Sequence, residues 1–193
     1  MYEFLTGKLT EKNPAFVVLD NHGTGYMINI TLNTFSKIKD LEEARLFTHF
    51  YVREDAQMLY GFADKAEREL FRYLLTVSGV GASTARLILS SLTAEEVYDA
   101  ITLNKAGVLQ SVKGVGGKTA QRIIIDLRDK LSSAGIVPEK VDFSHNTIKD
   151  EALSGLLILG FSKTTAEKAL NRVLKQGPVT NVENLIKETL KIL

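Results

Sequence analysis

Two copies of one short pattern place glycines where they could bind an anion. The first copy, LLTVSGVGASTARLIL, covers residues 74–89, and the second, LQSVKGVGGKTAQRII, covers residues 109–124. Glycine allows a tight turn and a close approach of the backbone to a ligand. Each copy predicts a helix, a Gly-Val-Gly turn and a second helix whose free N–H groups and dipole favour a phosphate. Such a site would contact a nucleic-acid backbone and would not read base sequence.

The residues expected to contact DNA are the two turns, the helix starts that follow them and the nearby cations. They are Gly79, Val80, Gly81, Ala82, Ser83, Thr84, Lys113, Gly114, Val115, Gly116, Gly117, Lys118, Thr119 and Arg122. Lys118 gives the second copy a cation at the position where the first copy has Ser83. The first copy is therefore expected to depend more on bare amides and a hydroxyl group.

The segments also resemble two nucleotide-binding motifs, but each motif requires a glycine at a position where this sequence has another residue. A P-loop would need glycine where Val112 stands, and a helix rather than a strand is predicted before it. A dinucleotide fingerprint fails because Thr84 and Thr119 replace its last glycine. A tight helix–helix turn that binds nothing is the simpler alternative, and the presence of two matching copies counts against it.

The first third of the chain predicts a small β-barrel of the OB type, with a small sandwich as the alternative. Five short runs rich in Val, Ile, Phe, Tyr and Thr predict strands, and turn residues separate them. The runs are Phe4–Leu9, Ala15–Leu19, Tyr26–Leu32, Leu46–Val52 and Gln57–Phe62. Asn33–Ile38 predicts one helical turn between the third and fourth strands.

From Asp64 onward the hydrophobic period changes from 2 to 3.6, which predicts helices. The patterns Asp64-x-x-Glu67 and Thr93-x-x-Glu96 predict capping boxes at two helix starts. Residues 132–146 contain Gly, Pro and small polar residues without a sustained period, which predicts a flexible linker. The segment from residue 147 predicts three short helices, the first of them ended by Gly160.

Composition excludes several classes of function. The sequence has no cysteine, which excludes disulfides, cysteinyl metal sites and thiol catalysis. Its net charge of +1 excludes attraction of the whole surface to nucleic acid or membrane. No apolar run approaches the length of about 20 residues that spans a bilayer, and no signal pattern begins the chain, so we expect a cytoplasmic protein.

The repeat resembles the helix-hairpin-helix motif of DNA-binding proteins, and the whole chain resembles the RuvA family of bacterial Holliday-junction-binding subunits. The stretch THFYVREDAQMLYGF at 48–62 is similar to that family's signature, as is the Leu159-Gly160-Phe161 turn. The resemblance implies an α+β fold of three domains. These are an OB-type barrel at 1–63, two helix-hairpin-helix motifs at 64–131 and, after the linker, a three-helix, UBA-like bundle at 147–193.

The function that the resemblance implies is that of a non-catalytic DNA-binding subunit. Such a protein holds a Holliday junction open and flat and recruits the RuvB ATPase for branch migration. This activity belongs to recombination, DNA repair and the SOS response to DNA damage. The implied assembly is a homotetramer, or an octamer on DNA, with the RuvC resolvase in the shared complex. No cofactor, metal or membrane partner is implied.

Glu54 and Asp55 lie between the last two predicted strands and so at a hairpin tip. From the residues alone, a solvated turn is the favoured interpretation. A catalytic metal pair is weaker, because neighbouring residues on a strand point to opposite faces and no further carboxylate or histidine cluster accompanies them. The resemblance implies instead an acidic pin at the centre of the tetramer, with Arg53 reaching junction phosphates. The residues alone favour a surface cross-strand charge equally for Arg53.

The resemblance also implies that the last helices bind RuvB, through residues that include Leu157, Leu159 and Phe161. The sequence leaves open whether these three side chains belong to the core of the bundle or to its interface. A bundle without a partner is the alternative.

Two other functions are compatible with parts of the sequence. A helix-hairpin-helix DNA glycosylase could use Lys118 as its nucleophile, but 132–138 lacks the carboxylate expected beyond the second hairpin helix. An OB-type adaptor for single strands would need aromatic platforms in a basic groove. Residues 1–63 carry six basic and eight acidic side chains, so the expected positive charge is missing.

Overall fold

A computed structural model describes residues 2–134, 148–174 and 181–193. The chain divides into two compact units, Met1–Lys140 and Val141–Leu193, and each is described by itself. None of the helices in the described ranges is long and apolar enough to cross a membrane.

Five strands close into a barrel in the order β1-β2-β3-β5-β4. They are β1 (Phe4–Asn13), β2 (Phe16–Asn21), β3 (Thr24–Ile30), β4 (Glu43–Val52) and β5 (Gln57–Phe62). Neighbouring strands are antiparallel except β3 and β5, which are parallel, and helix α1 (Leu32–Ile38) connects β3 to β4. The predicted OB-type barrel is therefore confirmed, and the sandwich alternative is wrong.

Two strands are longer than the hydrophobic pattern predicts. The second half of β1 is polar, yet it pairs through its backbone with β2, from Lys8 with Asp20 to Asn13 with Phe16. The first half of β1 pairs with β4, which extends that strand back to Glu43. Backbone pairing of this kind leaves no trace in side-chain hydrophobicity, because the polar residues face solvent.

Five helices follow the barrel in the first unit. They are α2 (Lys65–Leu75), α3 (Ala82–Ser91), α4 (Ala94–Thr102), α5 (Ala106–Gln110) and α6 (Gly117–Ala134). Their apolar faces form one core with the end of β5, centred on Phe71, Leu74, Ile88 and Leu127. Helix α6 continues through residues 132–134, the start of the predicted linker; the rest of that linker lies outside the described residues.

The two predicted capping boxes differ in outcome. Thr93 accepts a hydrogen bond from the Glu96 N–H, and the Glu96 side chain accepts one from the Thr93 N–H, so this box is confirmed. The box predicted for Asp64 and Glu67 is wrong, because the Asp64 side chain forms no cap hydrogen bond and pairs with Lys37. The Glu67 carboxyl is buried and accepts hydrogen bonds from Thr31 and Thr34 at the start of α1.

The second unit is a bundle of α7 (Ile148–Ile158), α8 (Lys163–Leu174) and α9 (Val182–Leu190). Its buried core contains Ala152, Leu156, Ala166, Leu170, Val173 and Leu185. Gly160 has a φ of +96° and ends α7 as predicted. The Gly160 N–H donates to the Leu157 carbonyl at 3.0 Å, and the Phe161 N–H donates to the Leu156 carbonyl at 3.1 Å, which is a Schellman motif.

Candidate nucleic-acid interface

The two Gly-Val-Gly turns have the same backbone geometry. In the first copy the Val80 N–H donates to the Val77 carbonyl at 3.0 Å, and Gly79 has a φ of +88°. In the second, the Val115 N–H donates to the Val112 carbonyl at 3.0 Å, and Gly114 also has a φ of +88°. A β-turn that requires a positive φ at its third residue strongly favours glycine there. The repeat in the sequence is therefore a repeat in structure.

The valine of each turn fixes the turn to the core of the helical domain. Val80 and Val115 are only 6% and 5% exposed. Ala82 is buried as well. Their side chains are withdrawn from solvent, so these predicted site residues can offer a ligand only their backbone groups. Of the glycines beside the valines, Gly79, Gly114 and Gly116 are exposed and Gly81 is half-buried.

Each turn leads directly into a helix N-terminus. Gly81 caps α3 with an extended backbone and no side-chain cap hydrogen bond, and its carbonyl accepts the Ala85 N–H at 2.9 Å. The Gly116 carbonyl accepts the Ala120 N–H at the same distance at the start of α6. The first-turn amides of a helix have no partner within it, so these two helix starts can donate hydrogen bonds to an anion.

The fold brings the two copies to one groove. This open groove has a volume of about 610 Å³ and is lined by the first turn and by one face of α6, the helix that follows the second turn. Its residues are Ser78, Gly79, Gly117, Lys118, Thr119, Gln121, Arg122, Ile125 and Asp126. Five of them were predicted from the sequence, and Ser78, Gln121, Ile125 and Asp126 were not.

Ile125 shows why the sequence missed part of the groove. It follows two other isoleucines, and such an apolar run suggests a buried position. Ile123 and Ile124 are buried, but Ile125 is 72% exposed on the groove side of α6. The helical angle of 100° per residue turns Ile125 away from the core, and its exposure is the signal that assigns it to the groove.

Charge is distributed unequally between the two copies. Lys113, Lys118 and Arg122 are exposed in the second copy. Ser78, Ser83 and Leu87 occupy the equivalent positions of the first. The second copy can therefore neutralise phosphates with side chains, whereas the first offers amides and hydroxyl groups. That these residues contact DNA stays a prediction.

The acidic pair lies where the sequence predicts, at the tip of the β4–β5 hairpin. The Arg53 N–H donates to the Ala56 carbonyl at 2.8 Å, which closes the turn around Glu54 and Asp55. Both carboxylates are exposed. Among the described residues, no group of three or more His, Asp and Glu side chains could hold a metal ion.

The Arg53 side chain rests on a tyrosine. Its Nε donates to the Tyr51 hydroxyl at 2.8 Å, and its guanidinium lies 5.2 Å from the centre of the Tyr51 ring. Within the described parts of the chain, no carboxylate forms a salt bridge with Arg53, and its role as a surface charge or as a phosphate contact stays a prediction. Its charge stays exposed beside the acidic tip.

The three residues of the second unit that we expect to bind a partner differ in their exposure. Leu157 and Leu159 are 40% and 59% exposed, so neither belongs to the core of the bundle. Phe161 is half-buried and packs against that core. Ile158, which the sequence did not single out, is 86% exposed between the two leucines. These three neighbouring residues form an exposed apolar segment, Leu157–Leu159, at the end of α7.

Comparison with known proteins covers the chain in three consecutive parts. Residues 1–61 match the RuvA N-terminal domain, residues 71–129 match a SAM-like helix-hairpin-helix tandem, and residues 147–193 match the RuvA C-terminal domain. The order agrees with a class of protein in which a barrel and two hairpin motifs precede a small helical domain. The three-domain α+β fold class is therefore confirmed.

Relatives match the chain over its full length. The Holliday junction branch migration complex subunit RuvA of Christiangramia forsetii is 50% identical over 193 residues, which is 100% of both chains. The proteins of the same name from Flavobacterium psychrophilum and Cytophaga hutchinsonii are 44% and 43% identical, again over 100% of both chains. This chain belongs to the RuvA family. Family membership also confirms the predicted non-catalytic, DNA-binding subunit.

Proposed function

We propose that this protein binds Holliday junctions through their sugar–phosphate backbones and holds them open and flat while a separate motor moves the branch point. The observation that carries the proposal is the groove between the first hairpin turn and α6, which is lined by cations of the second copy and by uncharged residues of the first. Backbone amides and flexible cations contact phosphates without reading bases, so binding is independent of sequence. The relatives named as branch migration complex subunits support the choice of a four-way junction as ligand.

Several copies of the chain acting together give the junction its advantage over duplex. One chain offers one weak clamp for one DNA arm. Four chains in a homotetramer, or eight in an octamer, place clamps on all four arms, and linked binding events strengthen one another. Junction preference then comes from the geometry of the assembly.

In this assembly Glu54 and Asp55 face the crossover as an acidic pin. Their carboxylates are exposed at a hairpin tip, where several copies can meet. Negative charge near phosphates repels them, so the pin keeps strands from closing across the centre and guides them as they exchange partners. Arg53, adjacent to the pin, contacts the nearest junction phosphates.

The second unit recruits the RuvB ATPase, and RuvC shares the same junction. Support comes from the exposed segment Leu157–Leu159, because apolar side chains grouped on a small domain mark interaction sites. Phe161 supports this segment from the core side.

The experiment that tests the proposal is a binding competition between a four-way junction and a linear duplex with the same arm sequences. The mass of the free protein in solution is measured by sedimentation equilibrium alongside. Strong preference for the junction, unchanged when the arm sequences are scrambled, together with a multimeric mass is the expected result. Equal, weak binding to both DNAs by a monomer would overturn the proposal.

A further inference from the structure

Arg86 lies on α3, about one turn beyond the amides that open this helix, yet its side chain faces the barrel. Its Nη1 donates to the Ala15 carbonyl at 3.1 Å and to the Asn29 Oδ1 at 3.3 Å. Ala15 lies between β1 and β2, and Asn29 lies on β3. Arg86 is the only lysine or arginine on α3, and its side chain therefore binds the barrel and does not face the groove.

The hydrogen bonds of Arg86 continue from β3 to β5, the neighbouring strand that follows the acidic tip. The Asn29 side chain donates through Nδ2 to the Leu59 carbonyl at 3.3 Å, and Leu59 lies on β5, the strand that follows the tip. The Ala15 carbonyl also accepts the Ile30 N–H at 3.1 Å. Hydrogen bonds therefore link α3, through β3, to the strand that carries the acidic turn.

The C-terminal end of α3 is bound by Asn33 of α1, the helix that connects β3 to β4. Its Nδ2 donates to the Leu89 carbonyl at 2.7 Å and to the Leu92 carbonyl at 2.9 Å, which satisfies carbonyls at the helix C-terminus. The adjacent Leu32 N–H donates to the Ser90 Oγ at 3.2 Å. A helix held at its middle and at its C-terminal end presents its first-turn amides in a fixed direction.

The equivalent position in the second copy is Gln121, which is exposed and lines the groove. The side chain at this position therefore has a different role in each copy. The second copy directs its polar side chains outward to the groove, whereas the first uses an arginine to attach its helix to the barrel.

We propose that Arg86 and Asn33 are positioning residues that determine the preference for a four-way junction over duplex. This inference rests on the proposed function. A duplex arm needs only the two hairpins, which pack together in one core. A junction engages the hairpins of several copies at once, so the direction in which each barrel holds its hairpins decides whether all four arms are bound together. Loosening α3 from the barrel therefore weakens junction binding far more than duplex binding.

The test compares Arg86→Gln with the wild type in the full-length protein. Affinities for a four-way junction and for a linear duplex are measured at several salt concentrations. Loss of one charge-assisted contact predicts a fall in junction affinity of about tenfold, with duplex affinity within about twofold of the wild type. The salt dependence of duplex binding stays unchanged, because Arg86 neutralises no phosphate.

Arg122→Gln is the matched control, since it removes the same charge from the groove. It lowers junction and duplex affinities alike, and its salt slope falls by about one. If Arg86→Gln behaves in the same way, Arg86 contacts phosphate and the inference is overturned. Full junction preference in Arg86→Gln overturns it as well.

Asn33→Ala provides a second variant without a charge change. It frees the C-terminal end of α3 and is expected to reduce junction preference in the same direction, and wild-type preference in this variant counts against the inference. Thermal unfolding of each variant is recorded first, and if Arg86→Gln does not fold, Asn33→Ala decides the question. A wild type that binds junction and duplex equally would instead contradict the proposed function itself.

Discussion

Lys118 is the groove residue whose contribution to DNA binding is simplest to measure separately. It lies beside amides at the start of α6, is exposed, and has Ser83 as its counterpart in the other copy. We expect Lys118→Ala to weaken binding to all DNA sequences equally and to reduce the slope of log affinity against log salt by about 0.9. Fluorescence anisotropy titrations across salt concentrations measure both quantities.

Ser83→Ala is the control for this prediction. It removes a hydroxyl group at the equivalent position but no charge, so its salt slope stays at the wild-type value. A wild-type slope in Lys118→Ala would show that this lysine does not neutralise a phosphate.

For the acidic tip we expect the opposite effect of substitution on DNA affinity. The double variant Glu54→Gln with Asp55→Asn is expected to bind junctions as tightly as the wild type or more tightly, because it removes repulsion between carboxylates and phosphates. Branch migration by the complex is expected to change. Gel-shift titration and a branch-migration assay measure the two effects, and clearly weaker junction binding by the double variant would refute the role of the pin.

Glu67 is a buried carboxyl group of α2 that binds the start of α1. It is 3% exposed and accepts hydrogen bonds from the hydroxyl groups of Thr31 and Thr34. Burial raises the pKa of Glu67 above its ordinary value of 4.5, and these hydrogen bonds oppose the rise only in part. Folding therefore favours the protonated carboxyl, and its contribution to stability is lost as the pH rises through the raised pKa.

We expect Glu67→Gln to remove this pH dependence. The amide keeps one acceptor and adds a donor for the two hydroxyl groups, and it cannot ionise. Relative to the wild type, the variant should gain stability as the pH rises from about 4.5 to neutral. Urea unfolding at a series of pH values measures the difference, and a difference that does not vary with pH would contradict the assignment.

At the scale of elements, the hairpin turns depend on glycine at one position each. Gly114 has a φ of +88°, and a Cβ added there would meet no atom within 4 Å. Gly114→Ala should therefore cost only backbone strain, about 1–2 kcal/mol of the free energy of unfolding. Chemical denaturation measures the loss.

Gly107 in α5 offers the control. A Cβ there also meets no atom within 4 Å, and its φ is not positive. Gly107→Ala should raise the free energy of unfolding by about 0.5–1 kcal/mol, because glycine is unfavourable inside a helix. Gly114→Ala as stable as the wild type would show that the turn does not need its positive φ.

Elements were predictable where local chemistry determines them. The Thr93 and Glu96 capping box and the Gly160 turn depend on neighbours in sequence, and both are present in the structure. Asp64 and Glu67 have the same spacing, but three residues at the start and end of α1, distant in sequence, bind their side chains instead: Lys37 pairs with Asp64, and Thr31 and Thr34 donate to Glu67. Sequence patterns do not contain such tertiary partners.

The candidate site, too, was predictable only where local chemistry determines it. The repeat located both turns and the cations of the second copy, because glycine and lysine reveal turns and charge. It did not locate Ile125 or the inward direction of Arg86, since each depends on how α3 and α6 are rotated in the assembled domain. In the tail, exposure rather than hydrophobicity separated Leu157 and Leu159 from the core.

At the scale of the whole molecule, the chain consists of two compact units. The first contains the barrel and both hairpins, and the second has its own buried core. We expect deletion of residues 146–193 to abolish stimulation of RuvB and to leave junction binding intact. ATPase and gel-shift assays measure these effects, and full motor coupling by the truncated protein would contradict them.

A substitution within the tail sharpens this prediction. Leu159→Ser changes a residue that is 59% exposed, so the bundle should remain folded while coupling to RuvB falls. Circular dichroism of the variant checks the fold. Loss of folding, or full coupling in a folded variant, would remove Leu159 from the interface.

The central claim is that the protein holds a four-way junction open and flat, and energy transfer between fluorophores on the arm ends tests it most directly. Without protein, magnesium stacks the arms in pairs, and the six arm-to-arm distances have twofold symmetry. With protein bound, we expect the four adjacent pairs of arms to become equal and the two opposite pairs to be the most distant. A bound complex that keeps the stacked pattern would contradict the account.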